Sequence, residues 1–329
     1  SSIRARAAAS KIRGCCRSSP MLSRTAENLY WLGRYSERAE STARLIEMGR
    51  RMAMLPSVTD DDEWRSVLIA AGARSPADGS EKLTERDIIR ILLLDGAEPY
   101  AIRACLSRAR ANGRAIRTAL TQDMWEALNE GWRKLELIDE DQACRELTQL
   151  LEWVKLRTST LRGASETGML RNDGYHFLRL GGYVERADMM LRLLDVKYYV
   201  LLPETETVGG GRDHHQWTSV LHANSAVRAY HHLYLGDYTP WQISDFLILN
   251  CDFPRSIAYS YRQISAHLAA LAERYDDEPE CVTIADEMTA RLADLEMGEI
   301  FQMGLHEFVQ DTLRTNNRLS QEIASAYYF

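Results

Sequence analysis

Hydrophobic residues recur at helical spacing along most of the chain. From Ser23 to about Leu55 the apolar positions return every three or four residues, Ser23 is a suitable N-cap, and Pro56 ends the segment. No window alternates in the manner of a strand, so we predict an all-α fold. Further helices are expected at about residues 64–73, 84–95, 100–120, 122–137, 139–161, 175–195, 283–297 and 299–328, with one more starting after Pro254.

The first long helix returns later in the chain. The segment ENLYWLGRYSERAESTARLIE, residues 27–47, is similar to YHFLRLGGYVERADMMLRLLD, residues 175–195, at an offset of 148. Two more blocks return in the same order, around Trp64 and Trp217 and around Pro99 and Pro254, which indicates an internal duplication. The aligned pairs of the long helix include Leu32/Leu180, Gly33/Gly181, Tyr35/Tyr183, Glu37/Glu185, Arg38/Arg186, Glu40/Asp188 and Arg44/Arg192.

The duplication predicts how the molecule is organised. We expect residues 21–165 and residues 166–329 to form two helical repeats of one compact multi-helix bundle, related by a pseudo-two-fold axis. Equivalent helices commonly pack near such an axis, so the helices of Glu37 and Glu185 are predicted to lie side by side. Residues 1–20 carry five basic residues and no acid, and we expect a disordered extension ahead of a start at Met21.

Composition narrows the possible functions. The formal charge of −7 argues against general binding of nucleic acid, which needs clustered Lys and Arg side chains. No uninterrupted apolar stretch approaches the length of a membrane span. The six cysteines are scattered apart from one adjacent pair, which is typical of reduced thiols and favours a cytoplasmic location.

The repeated helix carries a stripe of charged residues beside its apolar face. Glu37, Glu40 and Arg44 lie on one side of the helix, with an intrahelical pair expected between Glu40 and Arg44. The copy repeats this stripe, with a pair expected from Asp188 to Arg192. Three interpretations remain open: a structural ion network, a ligand or partner site, and a metal site. A buried network explains the repetition, because removing one partner of a buried pair costs roughly 3 to 5 kcal/mol.

The metal interpretation has the weakest support. Di-iron carboxylate bundles use Glu-x-x-His, whereas the third positions after Glu37 and Glu185 hold Glu40 and Asp188. Five histidines lie close together in sequence, but they lack metal-binding spacing and are more typical of core or margin residues. These histidines are His214, His215, His222, His231 and His232. We therefore predict no metal and no cofactor bound by this chain.

A second candidate site is the helix start after Pro254. Arg255 and Ser256 lie where free backbone N–H groups favour an anion such as a phosphate or carboxylate. The first copy has Tyr100 and Ala101 at the equivalent positions, so only one half offers a charged version. No P-loop, G-x-G-x-x-G or catalytic-triad motif is present, which argues against a nucleotide-dependent reaction carried out by this chain alone.

Several blocks of the chain resemble the bacterial alpha-E family, long catalogued as a domain of unknown function. They are MLSRTAENLYWLGRYSERAE from Met21, WEALN from Trp125 and FLILN-x-x-FPRSI from Phe246, and the resemblance extends from Met21 to the C-terminus. It implies a helical protein named for characteristic glutamates, here Glu27, Glu37 and Glu40. It also implies proximity to a circularly permuted ATP-grasp ligase and often to a transglutaminase-like peptidase.

The resemblance implies an accessory subunit of a system that makes amide bonds. Such a subunit would bind a peptide or amino acid or complete the ligase active site, while ATP and Mg²⁺ would belong to the ligase. The alternatives are a stand-alone enzyme that uses its paired Glu residues as acid and base, and a purely structural scaffold. The candidate residues are Glu37, Glu40, Glu185 and Asp188 for orienting amines, and Arg38, Arg44, Arg186, Arg192, Arg255 and Ser256 for holding carboxylates or phosphates.

Overall fold

The computed structural model describes residue 21 and residues 23–54, 60–73, 82–199, 211–235 and 238–329. Within these ranges the fold is all-α and contains no strand, as predicted. The predicted basic extension at residues 1–20 lies outside the described residues. The helices are α1 Ser23–Met52, α2 Asp60–Ala71, α3 Glu85–Ile88, α4 Ile102–Ala115, α5 Gln122–Leu137, α6 Glu140–Arg145, α7 Leu147–Gly168, α8 Asp173–Tyr199, α9 Gly211–Ala223, α10 Val227–Tyr234, α11 Pro240–Ile248, α12 Ile257–Tyr275, α13 Glu280–Asp294, α14 Met297–Met303 and α15 Leu305–Ala326.

The two long helices that are similar in sequence, α1 and α8, lie side by side at the centre of the bundle. Their backbones come together at two glycines, one from each helix. A Cβ atom placed on Gly33 would lie 2.1 Å from the carbonyl oxygen of Leu178, and one on Gly181 would lie 2.0 Å from that of Tyr30. Neither distance accommodates a side chain, so this approach requires glycine at both positions.

Helices from both halves of the chain surround this central pair. Helices α4 and α7 pack on α1, whereas α12 and α15 pack on α8. Two helices cross to the other half, since α2 packs on α8 and α9 packs on α1. The apolar core is therefore continuous across the two halves, and the charged stripes of α1 and α8 are enclosed by helices on several sides.

Two predicted helices are each divided in the structure. The segment predicted at 139–161 forms α6 and α7, which are separated at Glu146, and α7 continues to Gly168. The segment predicted at 299–328 forms α14 and α15, and the chain turns between them at Gly304 with φ of 94°. Hydrophobic residues continue at helical spacing across both breaks, which is why the pattern predicted single helices.

Other local signals of the sequence correspond to observed helix ends. Thr84 caps α3 in a reciprocal capping box with Asp87, and the helix continues as a π-helical segment over Ile89–Leu94. Pro99 and Pro254 each precede a helix that begins three residues later. No helix in the described part of the chain combines the length and the apolar character needed to cross a membrane.

Candidate functional site

The central helices exchange charged side chains in a reciprocal way. Arg186 of α8 donates two hydrogen bonds to Glu37 of α1, from Nε to Oε1 at 2.8 Å and from Nη2 to Oε2 at 2.7 Å. Arg38 of α1 binds Glu185 of α8 in the same bidentate manner, with Nη2 donating to Oε2 at 2.9 Å. Both glutamates are buried, and each adjacent Glu-Arg pair thus binds the equivalent pair of the other helix.

Glu185 has a further arginine partner that the sequence pattern did not reveal. Arg34, one helical turn before Arg38, donates from Nε to Oε2 of Glu185 at 2.7 Å and from Nη1 to the hydroxyl of Ser320 at 2.7 Å. Its guanidinium lies 5.3 Å from the ring centroid of Trp31. The only sequence signal was its spacing of four residues from Arg38, because the second copy has Gly182 at this position.

Glu40 joins three helices through its carboxylate. The predicted intrahelical pair is present, with Nη2 of Arg44 donating to Oε1 at 2.8 Å, but Glu40 is fully buried rather than exposed. Arg255, at the start of α12, donates to the same oxygen, and Arg162 of α7 donates to Oε2. Arg162 also approaches Glu37 at 3.5 Å. Sequence reasoning missed Arg162, because it comes from a helix outside the repeated charged stripe.

The copy of Glu40 has a simpler environment. Asp188 is buried and accepts a hydrogen bond from Nε of Arg192 at 2.7 Å, which is the second predicted intrahelical pair. Tyr100 lies between the Asp188–Arg192 pair and the Arg38–Glu185 pair. Its ring is 4.6 Å from the guanidinium of Arg38 and 5.9 Å from that of Arg192. Tyr100 thus covers an arginine, whereas Arg255, the aligned residue in the second half of the chain, binds carboxylates.

Together these side chains form what we name the arginine–carboxylate cluster. Its four acids are outnumbered by its seven arginines, which leaves an excess of three positive charges within the cluster. The members are Glu37, Glu40, Glu185 and Asp188 with Arg34, Arg38, Arg44, Arg162, Arg186, Arg192 and Arg255.

A cleft opens beside this cluster, between α1, α7 and α8. Apolar side chains of Leu161 and Leu178 form part of its wall, and Gly33 and Gly182 lie where the central helices cross. Its charged and hydroxyl lining comes from Ser36, Glu37, Thr158, Arg162, Ser165, Arg179, Tyr183 and Arg186. The cleft therefore exposes part of the cluster to a ligand.

Residues 21–328 match the model of a protein family. That family is described as a predicted alpha-helical domain with a conserved ER motif. The chain belongs to the Alpha-E family. Glu37-Arg38 and Glu185-Arg186 are two Glu-Arg dipeptides that match the description of the motif. In this Alpha-E chain the two dipeptides hold the central helices together, because each arginine binds the glutamate of the other dipeptide.

Relatives of this Alpha-E chain occur in mycobacteria. The uncharacterized protein Mb2597 of Mycobacterium bovis is 26% identical over 290 residues, which are 82% of this chain and 32% of the relative. The uncharacterized protein Rv2567 of Mycobacterium tuberculosis is 25% identical over the same shares of the two chains. The chain thus spans about a third of the length of these relatives. No solved structure matches it.

The Ser256 corner of this Alpha-E chain is closed by its own hydrogen bonds. Ser256 is buried, its hydroxyl donates to the carbonyl oxygen of Asn250, and it accepts from the backbone N–H of Tyr259 at 3.0 Å. The hydroxyl acts as an N-cap of α12. Arg255 binds Glu37 and Glu40, so the structure joins this residue to the central cluster and separates it from Ser256.

Two histidines outside the five considered from sequence contact each other. His176 of α8 and His267 of α12 approach to 3.0 Å between their Nδ1 atoms. Burial, reinforced by the charge of His176, lowers the pKa of His267 to about 3, so this pair is neutral at pH 7. Within the described residues no group of three or more His, Cys, Asp or Glu side chains is arranged to hold a metal ion.

The arginines determine the protonation states of the buried acids. Burial by itself raises the pKa of Glu185, but Arg38 and Arg34 outweigh burial and lower this pKa to about 2. Arg186 and Arg162 likewise outweigh burial at Glu37, whose pKa is also about 2, and the pKa of Glu40 falls well below its usual value. All three acids are therefore ionised at neutral pH.

The pKa of Arg255 is lowered, whereas the pKa values of Arg34, Arg38 and Arg186 are raised. Burial, together with repulsion from Arg44 and Arg186, lowers the pKa of Arg255 to about 10 despite the attraction of Glu40 and Glu37. An arginine normally titrates far above this value. The guanidinium therefore remains charged at pH 7.

These pKa values predict loss of stability in acid. Because the pKa of Glu185 is lowered from 4.5 to about 2, its ionisation stabilises the fold above pH 4.5, and this stabilisation is lost as the pH falls toward 2. We expect the urea midpoint to fall over this interval, and the Glu185→Gln variant to show a smaller dependence on pH. As a control, Glu130→Gln alters a surface pair with Arg157 and should retain the dependence of the parent protein. Equal slopes for all three proteins would contradict the assignment.

Proposed function

We propose that this chain is a cytoplasmic, helical accessory subunit of an ATP-grasp-type amide ligase system, and that it holds the peptide or amino-acid substrate of the ligase. The observation that carries the proposal is the excess of three arginines over carboxylates in a cluster that opens onto a cleft. Amide ligation starts from a carboxylate, and guanidinium groups bind carboxylates in a planar, bidentate geometry.

The protonation states favour holding a substrate over acid–base catalysis by this chain alone. A general acid or base works best with a pKa near the operating pH. Glu37 and Glu185 have pKa values of about 2, and the pKa of Glu40 is also lowered, so none of the three exchanges protons readily at pH 7. In this proposal the chemical step and the binding of ATP and Mg²⁺ belong to the ligase.

The relatives are consistent with a chain that acts beside another protein part. In the two mycobacterial proteins the matching segment occupies about a third of the length. The rest of each relative provides space for a separate activity. We propose that the present chain forms the corresponding substrate-holding part and meets its ligase through a surface near the cleft.

We further propose that the fold arose by internal duplication, with a pseudo-two-fold relation between the halves. The glycines of the helix crossing, Gly33 and Gly181, are equivalent at the repeat offset. The buried positions of α7 and α15 also match, since all seven buried residues of one helix align with those of the other at an offset of 158. This origin supports the proposal because it accounts for two Glu-Arg dipeptides that bind each other.

Reconstitution tests the proposed function. The chain and an ATP-grasp ligase from the same organism are purified, and amide product and released ADP are measured with and without the chain. We expect the two proteins to co-purify, and omission of the chain to reduce amide formation by about a hundredfold, since a misplaced substrate alone can cost that much. Full ligation without the chain would refute the proposal, and heat-denatured chain is the matched control.

A further inference from the structure

Besides its bidentate arginine, each of the two central glutamates has further arginine partners, and these come from different helices. At Glu185 the further partner is Arg34, from the central helix α1, and the outer helix α15 contributes Ser320. At Glu37 they are Arg162, from the outer helix α7, and Arg255, just before α12, whereas the central helix α8 has Gly182 at the position equivalent to Arg34. Both glutamates thus have more than one arginine partner, but the additional arginine of Glu185 belongs to a central helix and those of Glu37 do not.

The arginine beside Glu185 is covered, whereas the one from α7 beside Glu37 is partly exposed. The side chain of Arg34 is 10% exposed and is covered by Trp31, whereas that of Arg162 is 29% exposed. A Cβ atom on Gly182 would have only the carbonyl oxygen of Gly33 nearby, at 4.0 Å. The cleft exists because no side chain at Gly182 fills the space that Arg34 fills in the first copy.

Arg162 and Arg179 both line this cleft, and each has hydrogen-bond donors that no described residue uses. Arg162 uses only its Nη2 atom, toward Glu40 and Glu37, so that Nε and Nη1 make no hydrogen bond within the described ranges. Arg179 donates from Nη2 to the hydroxyl of Tyr183 at 2.7 Å. Its Nε is buried and, among the described residues, has no hydrogen-bond partner, although it lies 3.2 Å from a carboxylate oxygen of Glu166. Arg179 is thus ion-paired with Glu166 through Nε, which leaves Nη1 as the donor that no described residue uses.

The remaining lining indicates the kind of anion. The hydroxyls of Ser36 and Ser165 donate to carbonyl groups of their own helices, so they present oxygen lone pairs to the cleft. Leu161 and Leu178 add an apolar wall beside the guanidinium groups. Phosphate has oxygens on every side and would meet this apolar wall and the hydroxyl lone pairs, whereas a carboxylate has one planar charged end and an apolar body.

We infer that the cleft between α1, α7 and α8 binds the C-terminal carboxylate of a peptide, with Arg162 and Arg179 as its ligands and the leucine wall against the last residue. This inference deepens the proposed function, on which it rests for its biological meaning, because it names the substrate class and the residues that hold it. Binding needs no ligase, so it is measured on the isolated chain.

Isothermal titration of the isolated chain tests the inference with three probes. They are N-acetyl-alanyl-alanine with a free carboxylate, the same peptide as a C-terminal amide, and inorganic phosphate. We expect the free acid to bind at least about tenfold more tightly than the amide, because the amide lacks the charge-assisted hydrogen bonds. Equal binding of acid and amide, or tighter binding of phosphate than of the acid, would overturn the inference.

Two variants and one control locate the site. Arg162→Gln should weaken binding of the free acid by about tenfold or more, and Gly182→Leu should block the cleft without removing a charge. Arg162→Gln is expected to remain folded, because Glu40 keeps Arg44 and Arg255 as partners. Arg157→Gln, on the same helix but paired with Glu130 at the surface, should bind as the parent does.

The outcomes separate this inference from the proposed function. If both cleft variants bind the free acid as tightly as the parent while their thermal unfolding is unchanged, the inference is wrong even where the chain still stimulates ligation. If the free acid binds the cleft but omission of the chain leaves ligation unaffected, the inference stands and the proposed ligase function fails.

Discussion

Gly33→Ala and Gly181→Ala are each expected to lower the free energy of unfolding by more than about 3 kcal/mol. The added Cβ atoms would lie 2.1 Å from the carbonyl oxygen of Leu178 and 2.0 Å from that of Tyr30. Both obstacles are backbone atoms of the facing helix, so no side-chain rotation relieves the overlap. The central helices must separate, which also disturbs the bidentate pairs from Arg38 to Glu185 and from Arg186 to Glu37.

The next residue along the chain supplies a matched control. Gly182→Ala places its Cβ no closer than 4.0 Å to the carbonyl oxygen of Gly33, within the same helix and beside the same crossing. Since alanine favours a helix interior over glycine by about 0.5–1 kcal/mol, this variant should be slightly more stable than the parent. Urea unfolding followed by far-UV circular dichroism measures all three variants. Similar losses for Gly181→Ala and Gly182→Ala would disprove the role of close backbone approach.

The sequence predicted the centre of the fold because its two halves carry the same pattern. Hydrophobic spacing identified α1 and α8, and their similarity predicted that they lie together. The intrahelical pairs from Glu40 to Arg44 and from Asp188 to Arg192 followed from their spacing of four residues. These features depend on local periodicity or on repetition, and a single sequence contains both.

Features that depend on contacts between unrelated helices could not be predicted in this way. Arg162 reaches Glu40 from a helix that carries no copy of the charged stripe, and nothing in its spacing indicates that contact. The cleft depends on the absence of a side chain at Gly182. This absence could be interpreted only after the structure placed Arg34 in the equivalent space of α1. The breaks at Glu146 and Gly304 likewise interrupt an apolar pattern that continues on both sides.

Removal of the Glu185 carboxylate is the second variant with a large expected effect. Glu185→Gln should lower the free energy of unfolding by about 3–5 kcal/mol, because it leaves the charges of Arg38 and Arg34 buried without a counter-ion. Asp188→Asn should cost about 1 kcal/mol, since its partner Arg192 is 27% exposed and water solvates the remaining charge. Glu130→Gln, at a position 66% exposed, should change stability by at most about 0.5 kcal/mol.

Because the cluster contains more arginines than carboxylates, loss of a carboxylate should cost more stability than loss of an arginine. Loss of a carboxylate increases the excess of buried positive charge, whereas loss of Arg162 decreases it and leaves Glu40 with Arg44 and Arg255. Arg162→Gln should therefore destabilise the fold by less than about 1 kcal/mol, well below the cost of Glu185→Gln. Urea unfolding at pH 7 compares the two variants directly. If they cost the same, Arg162 is a structural member of the cluster; a small cost for Arg162→Gln alone means that its charge is available to a ligand.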